Sequence, residues 1–225
     1  MAAALEKVGA VVRYTEYDRG GHLETPNRVR QHGHGQLALT TASVNLMHPR
    51  IQEILDHLDG QRSSLREAIE SVPSALHCRR PAPERWSAAE IVDHLGIVET
   101  NITLLLNDRL NAARAAGIGP EHDATSVLPT LDVKKVLDRT LPRVARDAVQ
   151  PHAGVDMPTA WESLERSRQR LREVVVAADG LALSEVHAPH PAFGTLNLYQ
   201  WLIFVGAHEG RHAMQIREVA AALAV

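Results

Sequence analysis

The sequence has little of several things that often reveal a protein's class. A single cysteine, Cys78, excludes an internal disulfide framework. Its expected state is a reduced thiol in the cytoplasm, since thiol catalysis would need partners that the sequence does not identify. No stretch approaches the ~20 consecutive apolar residues of a membrane-spanning helix, and the N-terminus lacks the basic-then-apolar layout of a signal peptide. An excess of one charge is also missing. The 24 Lys and Arg against 27 Asp and Glu give a formal net charge of -3, which offers no electrostatic case for nucleic acid or an anionic membrane. The expectation is a cytoplasmic protein with neither kind of partner. Aromatic residues are scarce, with two Phe and three Tyr, yet there are 13 histidines. Histidine is the commonest metal ligand, so where these residues fall is the first matter to settle.

At 225 residues the chain suits one domain with an appendage. Residues 1–46 mix Gly, His, Arg and Thr without sustained periodicity, which predicts loop or disorder. Within them "HGHG" lacks a partner cluster and reads as a solvated tail. Helical order begins after Met47, so residues 1–46 are expected to be a disordered or wrongly assigned N-terminal extension. Residues 47–225 form the expected folded domain.

From Pro49 an apolar stripe of Ile51, Ile54, Leu55, Leu58, Leu65 and Ile69 has the spacing of an amphipathic helix. After the turn-rich "RRPAPERW", the run "SAAE" predicts a capping box between Ser87 and Glu90. The helix it opens carries Ile91, His94, Leu95, Val98, Ile102 and Leu105 on one face and fades at "AAGIG". Residues 117–157 are irregular and read as a long crossover with a short helix, interrupted by Pro142. A third long helix, capped by Thr159, presents Trp161, Leu164, Leu171, Val174 and Val175. The last, capped by Thr195, turns Leu198, Leu202, Val205, His208, His212, Ile216 and Val219 inward. No convincing strand alternation occurs. The expected architecture is an all-α four-helix bundle with a long crossover between the second and third main helices.

His208 and His212 lie four apart, about 40° around a helix axis, and project together from consecutive turns. His94 repeats the inward placement on its own helix. Buried imidazoles need partners; neighbouring groups can satisfy each ring, or the three can share a metal. Three nitrogens leave an open fourth position. With Glu209 between the two histidines, "HEGRH" also matches the H-E-x-x-H pattern of zinc peptidases. In the metzincin extension of that pattern, however, Gln215 stands where a glycine is needed and Glu218 where the last histidine is needed. With Val225 as the last residue, the third ligand is expected from upstream.

The runs "RWSAAEIVDHLGIVE" and "HPAFGTLNLYQWLIFVGAHEGRHAMQI" resemble the DinB-like family, the damage-inducible and YfiT-type four-helix bundles. The resemblance covers roughly Met47 to the C-terminus and rests on the Trp-Ser helix start, the "HPxFG" turn and the "HxxRHxxQ" run. It implies a divalent metal held by His94, His208 and His212, with zinc or nickel commonly bound and iron or manganese as further options. It also implies a metal-dependent hydrolase or a low-molecular-weight-thiol S-transferase or isomerase, with a thiol such as bacillithiol or mycothiol as co-substrate. A small-molecule substrate and a homodimer are the corresponding partners. A non-enzymatic metal-binding or dimerisation bundle is the alternative, and the H-E-x-x-H peptidase stands third.

Secondary candidates surround the ligands. Gln215, one turn past His212, can orient a ligand or bound water, or can serve as a packing hydrogen bond. Arg211 can steer an anionic group or form an interhelical ion pair, and Glu209 can act as base or simply pack. His187 and His190 belong to a site mouth or a plain loop. His57, His77, His122 and His152 are expected at solvated or turn positions. No obligatory base stands out, so the catalytic residues stay unassigned.

Overall fold

The computed structural model describes residues 47–140 and 145–224. The expectation for residues 1–46 lies outside the described residues, as does Pro142. Four long helices are present: α1 (Pro49–Glu70), α2 (Ala88–Ala115), α4 (Met157–Ala177) and α5 (Leu198–Leu223). The crossover from α2 to α4 carries the five-residue helix α3 (Val133–Leu137). The domain is a four-helix bundle in which α2 lies along α4 and α1 along α5.

The helix starts follow from local chemistry, and two differ from expectation. At α2 the capping box is formed, with Ser87 Oγ accepting from Glu90 N and Glu90 Oε2 accepting from Ser87 N. At α4 the cap is Asp156 rather than Thr159. Its carboxylate accepts from the Thr159 amide at 2.8 Å, and Pro158 sits in the first turn, where no amide is required. At α5 the cap is Asn197, which forms a second capping box with Gln200. Thr195 lies two residues upstream of the cap, inside a strand.

A two-stranded hairpin ahead of α5 and an isolated bridge between Pro120 and Leu181 depart from an all-helical chain among the described residues. β1 (His187–His190) pairs antiparallel with β2 (Gly194–Asn197) in a two-stranded hairpin. It shows no apolar alternation because only Ala188 and Leu196 are buried in it. Its turn is closed by His190 Nδ1, which accepts from the amides of Ala192 at 3.0 Å and Phe193 at 3.2 Å. Gly194 takes a φ of 75° there, a conformation that suits glycine.

The apolar core is split in two. One cluster joins residues 51–58 of α1, 102–110 of α2, 171–175 of α4 and 198–207 of α5. The other joins residues 65–69, 88–95, 157–164 and 213–219 of the same helices. Between them, at Arg62, Glu99, Arg168 and Glu209, every long helix contributes a buried charged residue. Arg168 donates to Glu99 Oε1 at 3.1 Å and Oε2 at 2.9 Å, to Glu209 Oε2 at 2.7 Å, and to the Leu58 carbonyl at 3.0 Å. Arg62 pairs with the other oxygen of Glu209 and with Glu165. Burial opposes the charge on Arg168, but Glu209 and Glu99 reverse that and hold it more firmly protonated than usual.

The crossover is anchored at several points. Arg50 donates to Glu121 Oε2 at 3.0 Å and to Thr125 O at 2.9 Å, and Val127, Leu131 and Val136 are buried. Beyond α3, Arg139 forms a bidentate pair with Glu218 of α5 at 2.7 and 2.6 Å. This anchoring carries the crossover over the face of the bundle that holds the histidines.

Candidate metal centre

His94, His208 and His212 meet, offering ligand atoms that all lie within 4.8 Å of one another. His94 comes from the second turn of α2 and the other two from consecutive turns of α5. Ring centroids stand 5.5 Å (His94 to His208), 5.0 Å (His94 to His212) and 4.6 Å (His208 to His212) apart. The Nε2 atoms of His208 and His212 are 3.1 Å apart, close to the roughly 3.3 Å separating two nitrogens at 2.0–2.1 Å from one tetrahedral zinc.

Outer contacts fix how two of the rings are presented. His94 Nδ1 lies 2.7 Å from the Val149 carbonyl, an oxygen that can only accept. The proton therefore sits on Nδ1, and the Nε2 lone pair is left for the centre. His212 Nδ1 lies 2.8 Å from Gln215 Oε1 with the same consequence. Burial pushes the pKa of His94 down. Burial pushes that of His212 well down, aided by the neighbouring rings of His208 and His94. Both shifts favour the neutral imidazole that coordinates metals. The donor set therefore fits a divalent cation that prefers nitrogen ligands.

Two crossover contacts support this arrangement. Asp93, buried next to His94, accepts from the backbone amide of His152 at 2.7 Å and from its Nδ1 at 2.8 Å. That clamp holds the segment whose Val149 carbonyl meets His94. On the α5 side, Arg139 Nη1 reaches 3.5 Å from the same Gln215 oxygen that receives His212. Arg211 donates to the carbonyls of Val136 at 3.2 Å and of Asp138, serving the end of α3.

The histidines open onto a cavity of about 720 Å³. Trp86 lies tilted against His94 with ring centroids 4.9 Å apart, and Phe204 lies nearly parallel to His208 at 5.4 Å. His190 lines this cavity and packs on Phe204 at 4.4 Å, so it belongs to the mouth. His187 does not line it and remains exposed. Gln215 and Arg211 also line the cavity.

Glu209 is removed from any catalytic role here. It is 1% exposed, and both its oxygens are engaged by Arg62 and Arg168 in the charged layer. The peptidase reading of "HEGRH" loses its general base. Glu218 is held by Arg139. His57 is also corrected: it is half-buried, with Nε2 3.1 Å from the Ile203 carbonyl. His77 sits in a turn as expected, half-buried and bonded to the Val72 carbonyl at 2.9 Å, and His122 and His152 are exposed as expected. Sequence reasoning missed Asp93, Arg139 and the Val149 carbonyl. Asp93 alone carried a signal, as an acid on a buried helix face.

YuaE of Bacillus subtilis (strain 168), an uncharacterized protein, is 28% identical over 142 residues, which cover 63% of this chain and 81% of YuaE. Among solved structures, TT2238, a four-helix bundle protein, aligns with a TM-score of 0.49 at 20% identity, covering 75% of this chain and 98% of that one. The profile of the DinB superfamily matches residues 27–216, beginning upstream of Met47 inside the segment that periodicity set apart. Because this match spans most of the chain and includes all three clustered histidines, the protein belongs to the DinB superfamily.

Proposed function

We propose that this protein is a divalent-metal-dependent enzyme acting on a small molecule, with the metal held by His94, His208 and His212. One observation carries the reading: three imidazoles converge on the wall of a large cavity, and two of them are oriented so that Nε2 points inward. Among the described residues no carboxylate or thiol joins the three as a fourth ligand. A closed structural site would need one, so this set matches the open, catalytic type.

Zinc or nickel suits three imidazoles, with iron or manganese as further options. A bound divalent ion supplies Lewis acidity, which lowers the pKa of a coordinated water or thiol and makes it nucleophilic near neutral pH. Hydrolysis and transfer to a low-molecular-weight thiol both draw on that chemistry. The chain's own part is to present neutral rings, to fix them through Val149 and Gln215, and to shape the cavity with Trp86 and Phe204.

The test is metal-dependent turnover. Zinc- or nickel-loaded protein is screened against ester and amide substrates, and against an electrophile supplied with bacillithiol or mycothiol. Activity in one of the two panels is expected, abolished by chelation and by His212→Ala. Failure of every metal-loaded form in both panels would overturn the enzymatic reading.

A further inference from the structure

The cavity beside the histidines is polarised along α5. The early turns of the helix contribute Trp201 and Phe204, and Phe193 from the hairpin turn packs on Phe204 at 5.8 Å. The rest of the lining is rich in cations, with Arg211 between the two ligands of α5, Arg139 and Arg146 of the crossover, and Arg85 from the loop before α2. Among the described residues the only acid lining the cavity is Glu84 at the rim. The nearest balancing carboxylate, Glu218, pairs with Arg139 and stands 3.8 Å from Arg85. Its carboxyl is held below the ordinary range by the Arg139 hydrogen bond, with Arg85 and Arg211 adding to the effect. Arg85, Arg139, Arg146 and Arg211 face Glu84 and Glu218 there, so among the described residues this wall carries more cationic than anionic side chains. Arg146 is exposed and forms no ion pair among the described residues.

Distances along the helix set the shape of what fits. At ~1.5 Å rise per residue, Phe204 lies about 9 Å to one side of the midpoint between the two α5 ligands, and Glu218 about 12 Å to the other. The histidines thus stand between an aromatic end and a cationic end. Imidazole ligands carry no negative charge, so nothing in the ligand set offsets the arginines. A carboxylate matches guanidinium geometry through two parallel hydrogen bonds. The cavity volume lies within the roughly 300–1,000 Å³ of small-molecule sites.

We propose that the cavity takes an amphiphilic organic acid. Its apolar or aromatic body rests on Phe193, Trp201 and Phe204, its reacting group meets the three histidines, and its carboxylate head is held by Arg85, Arg139 and Arg146. The reacting group's place rests on the metal-enzyme reading above, whereas the polarity of binding does not.

Calorimetric titration of the full chain with N-benzoylglycine and its neutral amide, N-benzoylglycinamide, tests this, with and without zinc. The carboxylate is expected to bind at least about tenfold more tightly, with an advantage that shrinks as salt rises. The double variant Arg85→Gln, Arg146→Gln should cut that advantage to below roughly threefold while leaving zinc content unchanged. Phe193→Ala should weaken both probes alike. Equal affinity for the two probes, or no binding of either, would overturn the proposal. So would an advantage that survives the double variant and is lost when zinc is removed, because the head would then sit on the metal. If zinc does not bind at all, the metal reading fails, and the zinc-free titration still reports on the arginine wall.

Discussion

Two buried polar clusters share α5 within one helical turn, and they are built on opposite rules. On one side Glu209 meets Arg62 and Arg168, with Glu99 completing a layer in which opposite charges pair directly. On the other side His208 and His212 meet His94, and the three rings bring their ligand nitrogens together. The first cluster is closed on itself by ion pairs, with Arg62 Nη2 buried without a hydrogen-bond partner among the described residues and 3.8 Å from Glu99 Oε2. The second gathers three ligand nitrogens at one point and opens onto a cavity. Burial of polar groups is therefore not what marks the functional candidate; ligand nitrogens that converge beside open space are.

The contrast predicts different failures. Arg168→Ala removes the guanidinium from Glu99 and from one oxygen of Glu209 in the core and should lower the unfolding free energy by about 3–5 kcal/mol. His212→Ala, at a cavity wall, should cost the metal-free protein about 1 kcal/mol or less. Urea unfolding of both variants without metal checks the pair, and a reversed order would erase the distinction between the clusters.

Next in size are the outer contacts. Gln215→Ala and Asp93→Ala each remove a support of a coordinating ring and should weaken metal affinity about 10- to 100-fold, with little change in metal-free stability. Asp93→Asn keeps an acceptor for the His152 amide and should recover much of the loss. Competition against a chelator measures all three. Equal losses for Asn and Ala would show that the clamp does not act through this hydrogen bond.

Close approach of α1 to α5 supplies a smaller effect. A Cβ at position 206 would come within 2.3 Å of His57 Nε2, and one at 210 within 2.3 Å of Gln61 Oε1. The His57 ring is bonded to Ile203 and resists displacement, whereas the Gln61 side chain can swing away. Gly206→Ala should cost about 1–3 kcal/mol and Gly210→Ala less, as read from denaturation midpoints.

The smallest expected effect is on pH dependence. Burial lowers the pKa values of His57, His94 and His212. Just below the unfolded value of about 6.5 the unfolded chain therefore binds more protons than the folded one, and folding stability rises with pH. Metal-free protein should lose stability steadily as pH falls from about 7 toward the lowered folded-state values. Urea unfolding across that range checks the sign, and a flat profile would mean that the rings are not held neutral.

Much of this was legible in the sequence, for stated reasons. The apolar stripes of α1, α2 and α5 predict the helices that form, and the Ser87–Glu90 box marks where α2 starts. His94, His208 and His212 stood out because a polar ring interrupted each stripe. The charged layer left the same kind of trace. Arg62 falls between Leu58 and Leu65, Glu99 between Leu95 and Ile102, and Arg168 between Leu164 and Leu171, all at inward spacing. What helix periodicity cannot supply is which charge meets which, because each partner sits on a different helix. Arg139 and the Val149 carbonyl lay in a crossover without periodicity. The hairpin was hidden because its strands are four residues long and contain a proline and two histidines.

The most direct test of the central claim is the metal content of untagged protein, measured by elemental analysis beside His94→Ala and His212→Ala. The account predicts close to one divalent ion per chain in the wild type. It predicts near-complete loss in both variants, with their helical content preserved. Full metal content in either variant would contradict a centre built from these three histidines.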